Sequence, residues 1–580
     1  MVGGIYCVVR DAIRNGRVAF VARVRRFRKG RQMEIIDGRN APGRRRLTLA
    51  PAVALVTALV LSIGAGVSGA STTTHKKAEA GGTLTWAIQT NPASLFDAYY
   101  FSAEGSQIFS LVQDHILAPG TFGQPITGEG SVSSSWKATN STTYVYTIKK
   151  GVKFSDGSTL TAKDVAFTMN IHRNKTTGSK MADFFGNVRS ISTKGNVVTV
   201  KLLKPDSNWQ YTPAASPGLV YSQADFKKKG ANFGTPNGMP IGTGPYMFSE
   251  FSPNNRVVLV RNPNYKGKKY QWDKIIFPLI PDEQARLLAL QSGQIDGTFA
   301  VPNNNISTWV KAPGLKVGTY VSGGWRGFSL DVEDGPFQDV HVRRAIAYSL
   351  DKPGINEALA SSRGKVLAGL PPLIFLKALL PQAEITKALK SVPSYDYSVT
   401  NAKAEMAKSA YPNGFSTTLN VPTGCAACLL LSQTLAQGAG KIGININLNM
   451  MAGPQRFQVI LDHKAHLGIQ VLGQAPDSPH PMQYLDLLYT SAHAAPGYEN
   501  SANYKNPQVD KLIADGLQTA NLKVAARDAL KIMQIVSQDV PYIPVFMFPG
   551  AWSVKSGWSF KSSLGPFYYN QIWLQHLVAK

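Results

Sequence analysis

Residues 143–165 read TYVYTIKKGVKFSDGSTLTAKDV. Tyr144, Tyr146 and Ile148 fall on one face of a two-residue repeat, the pattern of a half-buried strand over Thr143–Lys149. Lys149-Lys150-Gly151 and Asp156-Gly157 each supply a turn. Thr161 then stands where the polar side chain that opens a helix belongs. The stretch therefore predicts strand, turn, turn and helix in quick succession.

The same alternation continues outward. Thr83–Gln89 alternates as a strand. Val188–Thr193 and Val197–Leu203 flank Lys194-Gly195-Asn196 as a hairpin, and Val257–Val260 and Ile275–Leu279 read as further strands. Helical periodicity covers Pro281–Ser292, which Gly293 stops, and Val340–Leu350, where Val342, Ala345, Ile346 and Ser349 share a face. Val509, Leu512, Ile513 and Leu517 mark another helix, followed by Leu522–Ser537. Mixed elements over so long a stretch predict an α/β (mixed α+β) fold in more than one lobe. The chain has 580 residues, and at roughly 100–200 residues per domain that also predicts two or more domains. With 44% hydrophobic and 10% aromatic residues, global disorder is excluded. Three Cys exclude a disulfide scaffold, and a single long apolar run excludes a polytopic membrane protein.

Residues 1–70 hold thirteen Lys or Arg against three Asp or Glu, a net of +10 that leaves +16 of the total +26 for the remainder. Arg44, Arg45 and Arg46 precede the apolar run Leu47–Ile63, which ends in Ser68-Gly69-Ala70. This order is that of a signal peptide cleaved near Ala70; the other reading is an uncleaved membrane anchor. The basic stretch before Met33 is long for such a leader, so either Met1 or Met33 is the start. Residues 71–81 form a polar linker. Export places the later cysteines in an oxidising compartment and makes the remaining +16 an affinity for an acidic envelope or anionic lipid rather than nucleic acid. No nucleic-acid-binding signature accompanies the charge.

Several enzyme motifs occur in outline and fail on context. Gly438-Ala439-Gly440-Lys441-Ile442-Gly443 fits G-x-G-x-x-G but follows a helix and precedes a strand, the reverse of a dinucleotide fingerprint, so it is read as a helix end. Ser362-Arg363-Gly364-Lys365 fits S-x-x-K without its companion Lys-Thr-Gly. His463 and His466 sit at a helix-to-strand turn with no further ligand beside them, which speaks for solvated turn residues over a metal site. Cys425-Ala426-Ala427-Cys428 follows an extended segment and opens a helix. That placement suits a thioredoxin-type redox pair, an exported thiol-disulfide oxidoreductase, as well as a local disulfide or two packed thiols.

The order of motifs from Gly82 onward resembles the family 5 extracellular solute-binding proteins, the oligopeptide- and dipeptide-type receptors of ABC importers. The opening stretch is similar to the family's "F-x-L-x-x-G-V-K-F-H-D-G-x-P-L-T-A-x-D-V", with Ser155 in place of the usual His. Gly242-Thr243-Gly244-Pro245-Tyr246, Arg261-Asn262-Pro263-Asn264-Tyr265 and Leu290-Gln291-Ser292-Gly293-Gln294-Ile295-Asp296 follow. After them come the run from Phe337 to Ala345, Ala410-Tyr411-Pro412-Asn413-Gly414-Phe415, Asn506-Pro507-Gln508-Val509-Asp510 and Pro541-Tyr542-Ile543-Pro544. The resemblance implies a two-lobed periplasmic-binding-protein-like clamp. Lobe I would span residues 82–320 plus 543–580 with an inserted subdomain near 126–225, and lobe II residues 321–542. Two hinge crossings are expected near Val317–Trp325 and Pro541–Phe548.

The resemblance further implies a monomeric, non-enzymatic exported protein without a cofactor or metal. It would take up a peptide or other small solute and deliver it to ABC permease subunits in the membrane, from the periplasm or the outer face of the cytoplasmic membrane. Residues 473–481, GQAPDSPHP, resemble the family loop "W-x-x-D-x-x-D-P". Asp477 falls on the Asp that pairs with a peptide's α-ammonium, Gln474 replaces the Trp, and His480 the second Asp. Tyr99, Tyr100 and Phe101 are candidates for apolar contact with the solute, and Trp325 either for that role or for hinge packing. Dipeptide-binding members carry an Arg in the loop that here reads Pro422-Thr423-Gly424-Cys425-Ala426-Ala427-Cys428, without a cation. That departure implies a longer peptide or a non-peptide solute such as an oligosaccharide, an opine-like compound or a metal chelate.

Overall fold

The computed structural model describes residues 81–579 apart from Phe101, Lys464 and Ala465. The leader with its apolar run, Cys7 and nearly all of the linker therefore lie outside the described residues, as does Phe101.

The opening stretch folds locally as its pattern dictates. Thr143–Ile148 is a strand whose Tyr144, Tyr146 and Ile148 are buried while its other residues are partly open. Gly157 takes a φ of +87°, which glycine adopts without the Cβ penalty, and the preceding Asp156 carboxylate accepts from the Ser158 N–H at 2.9 Å. Helix Ala162–Arg173 starts at Thr161, where the Asp164 carboxylate accepts from the Thr161 backbone N–H at 2.9 Å and from its hydroxyl at 2.7 Å. The strand belongs to a four-stranded antiparallel sheet with Ser133–Asn140, Val197–Leu202 and Val188–Lys194, in the order given by their pairing. Its buried face shares a core with Phe154, Leu160, Val165 and Trp209.

An 11-stranded sheet runs through the rest of the molecule. On one side stand Gly82–Ala87, Trp272–Pro278, Arg256–Arg261 and Tyr246–Ser252; on the other stand Ile469–Gln474, Phe415–Pro422 and Ile444–Met451. Two long antiparallel strands in the middle, Leu315–Leu330 and Tyr542–Lys555, join the sides. One end of this pair extends the first side, where Ser553 and Val554 meet Thr298 and Gly297; the other extends the second, where Trp325–Leu330 meets Gln474–Ile469. Between Val321↔Pro549 and Trp325↔Met547 the register slips, and the slip contains Gly323 at φ +71°. Such an irregularity bends a strand pair locally while leaving each half's ladder intact. The fold is thus two lobes, each around its own core, threaded on one strand pair. Trp86, Phe299, Trp552 and Trp573 lie in the first core, and Phe328, Leu419, Leu431 and Val545 in the second.

Candidate functional site

The strand Ile469–Gln474 lies antiparallel to Trp325–Leu330, with Trp325 opposite Gln474 and Arg326 opposite Gly473. Gly473 leaves room for its neighbour, since a Cβ there would meet Arg326 Cγ at 3.1 Å and Nη1 at 3.3 Å. Past Gln474 the chain leaves the sheet through a loop carrying Pro476, Pro479 and Pro481, none of which can donate to a ladder.

Asp477, on this loop, is exposed to solvent, and its Oδ2 accepts from Gln483 Nε2 at 3.2 Å. Water reaches the carboxylate, yet the surrounding protein displaces most of the bulk solvent. That desolvation, reinforced by the charge of Glu499, pushes its pKa up to about 6. Burial also raises the Glu499 carboxyl above its ordinary range. Glu499 accepts from Gln474 Nε2, which leaves Gln474 Oε1 buried without a hydrogen-bond partner.

Next to this pair lies Arg326. Its Nη1 donates to Cys428 Sγ at 3.5 Å, and its guanidinium lies 5.3 Å from the centroid of the Phe548 ring. Among the described residues no carboxylate comes within ion-pair distance, and burial lowers its pKa. Arg456 is buried nearby. Its Nε donates to the Asn420 carbonyl at 2.9 Å and its Nη2 to the Val471 carbonyl, and burial brings it down to about 10. Cys425 and Cys428 are joined in a disulfide, and Cys425 Sγ accepts from the Cys428 N–H at the start of helix Ala426–Gly440. Arg326, Cys428, Arg456, Gln474, Glu499 and Ser501 line a cavity of about 230 Å³.

The first lobe reaches the same loop. The Tyr569 hydroxyl donates to the Pro476 carbonyl at 3.5 Å, and its pKa is raised by burial and by the Asp477 charge. The Tyr484 hydroxyl donates to the Gly323 carbonyl at 3.0 Å, which ties the loop's following helix to the slip in the strand pair. His480, 1% exposed, faces Ser207 Oγ at 2.9 Å, and its Nδ1 accepts from the Met482 N–H at 3.1 Å. Since Nδ1 is an acceptor, the ring proton sits on Nε2 and is donated to Ser207, whose own hydroxyl donates to the Leu517 carbonyl at 2.9 Å. Ser478 Oγ adds a hydrogen bond to Asn208 Oδ1 at 2.6 Å.

The structure links Asp477 to Gln474 through Glu499, whose charge acts on the one and which accepts from the other, and sets Cys428, Arg326 and Gln474 around one cavity. Of the two roles expected of Trp325, solute contact and hinge packing, its surroundings suit the second: it is 0% exposed, sits in a second-lobe core and lies edge-on to Tyr542 at 6.4 Å. A residue so enclosed offers a solute no surface, so its role here is packing beside the strand crossing. Tyr100 packs against the first-lobe core, and Tyr99, 45% exposed, lies edge-on to Phe96 at 5.1 Å. Among the described residues no hydrogen bond or ring contact joins either tyrosine to Asp477. Arg326, Glu499 and Tyr569 are the members of this site that the sequence reading missed. The first had a local signal, a lone charge inside the glycine- and apolar-rich run GGWRGFSL at residues 323–330.

Residues 129–496 match the bacterial extracellular solute-binding proteins, family 5. Among curated proteins, a probable D,D-dipeptide-binding periplasmic protein of Escherichia coli is 26% identical over 428 residues, covering 72% of this chain and 79% of the relative. An oligopeptide-binding protein of Bacillus subtilis is 27% identical over 428 residues, covering 69% of this chain and 74% of the relative. Among solved structures, a periplasmic binding protein of Helicobacter pylori in complex with a peptide superposes with a TM-score of 0.71 at 20% identity, covering 86% of this chain and 98% of the other. With a match across more than half its length, on a two-lobed frame joined by paired strands, the chain belongs to the family 5 bacterial extracellular solute-binding proteins.

Proposed function

We propose that this protein captures an oligopeptide-like solute outside the cytoplasm and hands it to the permease of an ABC importer without chemically altering it. The carrying observation is Asp477, a carboxylate that solvent reaches but protein crowds, placed where a first-lobe tyrosine meets a second-lobe loop. Such a group gains most when a solute's ammonium replaces the water it has lost, because a charge-assisted hydrogen bond strengthens as the local dielectric falls. The names of the relatives, a D,D-dipeptide and an oligopeptide binder, support a peptide class.

In this reading lobe I spans residues 82–320 and 543–580 with the insertion near 126–225, and lobe II spans 321–542. The lobes close about the strand crossings, and a solute that touches both favours the closed state by its differential affinity. The basic leader serves export. The test is native mass spectrometry of the mature protein for a co-purified solute, followed by isothermal titration with peptide pools. A peptide mass, with binding weakened at least tenfold by Asp477→Asn, is the expected result. Tight binding of a sugar or chelate with no peptide binding would refute the peptide assignment, and turnover of the solute would refute the non-enzymatic one.

A further inference from the structure

We propose that a lysine-lined cavity of the first lobe, separate from the solute site, binds the phosphodiester of a polyol, the chemistry of a glycerol-phosphate headgroup. The cavity lies where the turn after strand Thr143–Ile148 meets the segment 128–131 and the loop 264–268 that follows strand Arg256–Arg261. It measures about 860 Å³, within the range of small-ligand sites. Its lining residues all fall within 114–268, and none belongs to the Asp477 loop or to the second-lobe cavity. Three of the ordered sequence motifs converge here, through the Lys149–Lys153 turn, Thr243 and the pair Asn264-Tyr265. The solute site uses none of them.

Lys149, Lys150, Lys153, Lys266 and Lys268 line the cavity, against two acids and no arginine. None of the five forms an ion pair among the described residues. Lys149 Nζ donates to the Gly128 and Ser131 carbonyls, each at 2.6 Å, which fixes it in the wall and leaves one N–H for an occupant. Glu129 is already engaged by the protein. Its Oε1 accepts from the Tyr265 hydroxyl at 3.1 Å, the Lys268 backbone N–H at 3.0 Å and the Tyr270 hydroxyl at 3.1 Å. Those bonds tie the segment 128–131 to the loop 264–268, so the rim that carries Lys266 and Lys268 is set before any ligand arrives. Asp114 is 7% exposed, lies in the field of Lys149, and shows an occupant little of its carboxylate.

Positive charge gathered on a concave wall focuses its field into the cavity and draws an anion there. Lysine is a compact charge with rotatable donors, which suits the tetrahedral oxygens of a phosphate. The planar fork that matches a carboxylate belongs to arginine, which this wall lacks. Neutral acceptors favour hydroxyls beside the phosphate. Asn196 Nδ2 is spent on the Ile148 carbonyl and Asn264 Nδ2 on the Ser155 carbonyl, each at 3.1 Å, which leaves both amide oxygens to accept. Ile148 and Val152 are the only aliphatic side chains of the wall, too little surface for an acyl chain. A lipid would therefore insert its headgroup alone.

The test uses the full mature protein and a variant carrying Lys150→Gln, Lys266→Gln and Lys268→Gln, all exposed positions. A control variant loses the same charge at the exposed Lys377, Lys390 and Lys523, outside the cavity. Coincident thermal melts verify that both variants fold. Calorimetry is run with glycerophosphoglycerol and with diethyl phosphate, which has the charge without the hydroxyls. Sedimentation is run with vesicles of phosphatidylcholine, with and without phosphatidylglycerol. We expect saturable binding of glycerophosphoglycerol, weakened at least tenfold in the cavity variant and unchanged in the control, with diethyl phosphate weaker throughout.

Phosphatidylglycerol-dependent vesicle binding that follows the same pattern and is displaced by glycerophosphoglycerol assigns the headgroup of a membrane lipid. Binding of the diester without vesicle binding assigns a soluble glycerophosphodiester. Vesicle binding weakened equally by both variants, with no binding of the diester, is diffuse attraction and overturns the proposal, as does absence of binding to either. Diethyl phosphate binding as tightly as the diester overturns the polyol assignment. None of these outcomes involves the transported solute, so the receptor reading stands or falls separately.

Discussion

Two carboxyls illustrate how position alone sets chemistry. Desolvation and the Glu499 charge push Asp477 up to about 6, so in the proposed reading an ammonium-bearing solute must bind a group that is first ionised. Affinity should be level above pH 7 and fall about tenfold per unit below pH 6, a dependence that calorimetry should find missing in Asp477→Asn. Asp97 is the contrasting case. It is 1% exposed, and burial outweighs the lowering effect of the nearby Tyr221 hydroxyl and backbone N–H groups and pushes its pKa up to about 8. The unfolded chain would ionise it near 3.9, so between about pH 4 and 8 the folded state holds a proton that the unfolded state has released. Its contribution is therefore intact below pH 4 and is lost at about 1.4 kcal/mol per unit as pH rises towards 8. Asp97→Asn, which cannot ionise, should melt like the wild type at pH 4 and a few kcal/mol more stably at pH 8. Equal stability of the two at pH 8 would mean that the carboxyl finds a partner in solution.

At the scale of elements, the decisive piece is the paired strands Leu315–Leu330 and Tyr542–Lys555. Their slip coincides with Gly323-Gly324. A Cβ on Gly324 would stand inside van der Waals distance of the Phe548 ring, the same ring that lies against Arg326. Gly324→Ala should cost about 1–3 kcal/mol in denaturant unfolding by overpacking. In a Phe548→Ala background the same change should cost much less, because the clashing ring is gone; additivity of the two substitutions would refute this packing. Much of this scale was readable from the chain. The hairpin across Lys194-Gly195-Asn196 forms between Val188–Lys194 and Val197–Leu202. The helix expected over Pro281–Ser292 occupies Glu283–Gln291, with Asp282 as its cap, and the CxxC does open a helix. These features are local, set by residues that touch neighbours a few positions away. What the pattern could not show is that a run of 16 residues serves two lobes at once, since that depends on which strands its two ends meet.

Across the whole molecule, the proposed closure would carry a titratable fastening. His480 is neutral and buried between the lobes, bonded to Ser207 of the four-stranded region's neighbourhood on one side and to the Met482 N–H on the other, and burial holds its pKa down to about 3. A ring released by opening would titrate near 6.5. The closed state thus binds fewer protons than the open one between those values, and it loses stability relative to the open state as pH falls below about 6.5. Small-angle scattering of the solute-free protein should show a larger radius of gyration at pH 5 than at pH 7.5. His480→Ala, which has no ring to titrate, should give a radius that no longer changes between the two pH values. A radius independent of pH in the wild type would show that the fastening carries no weight.

The chain by itself determined its class, the order of its strands and turns, and the loop that bears Asp477. The strands and turns follow from periodicity and turn chemistry, which act between residues close in sequence; the class and the Asp477 loop follow from the resemblance of its ordered motifs to the family. Only the folded molecule decided that Arg326 stands beside Glu499 and Cys428, that Trp325 is walled into a core, and that Tyr569 returns from the chain's end to cover Pro476. Those neighbours lie far apart along the chain, and their contact is fixed by strand register and by the burial that accompanies it, quantities that a linear pattern does not contain.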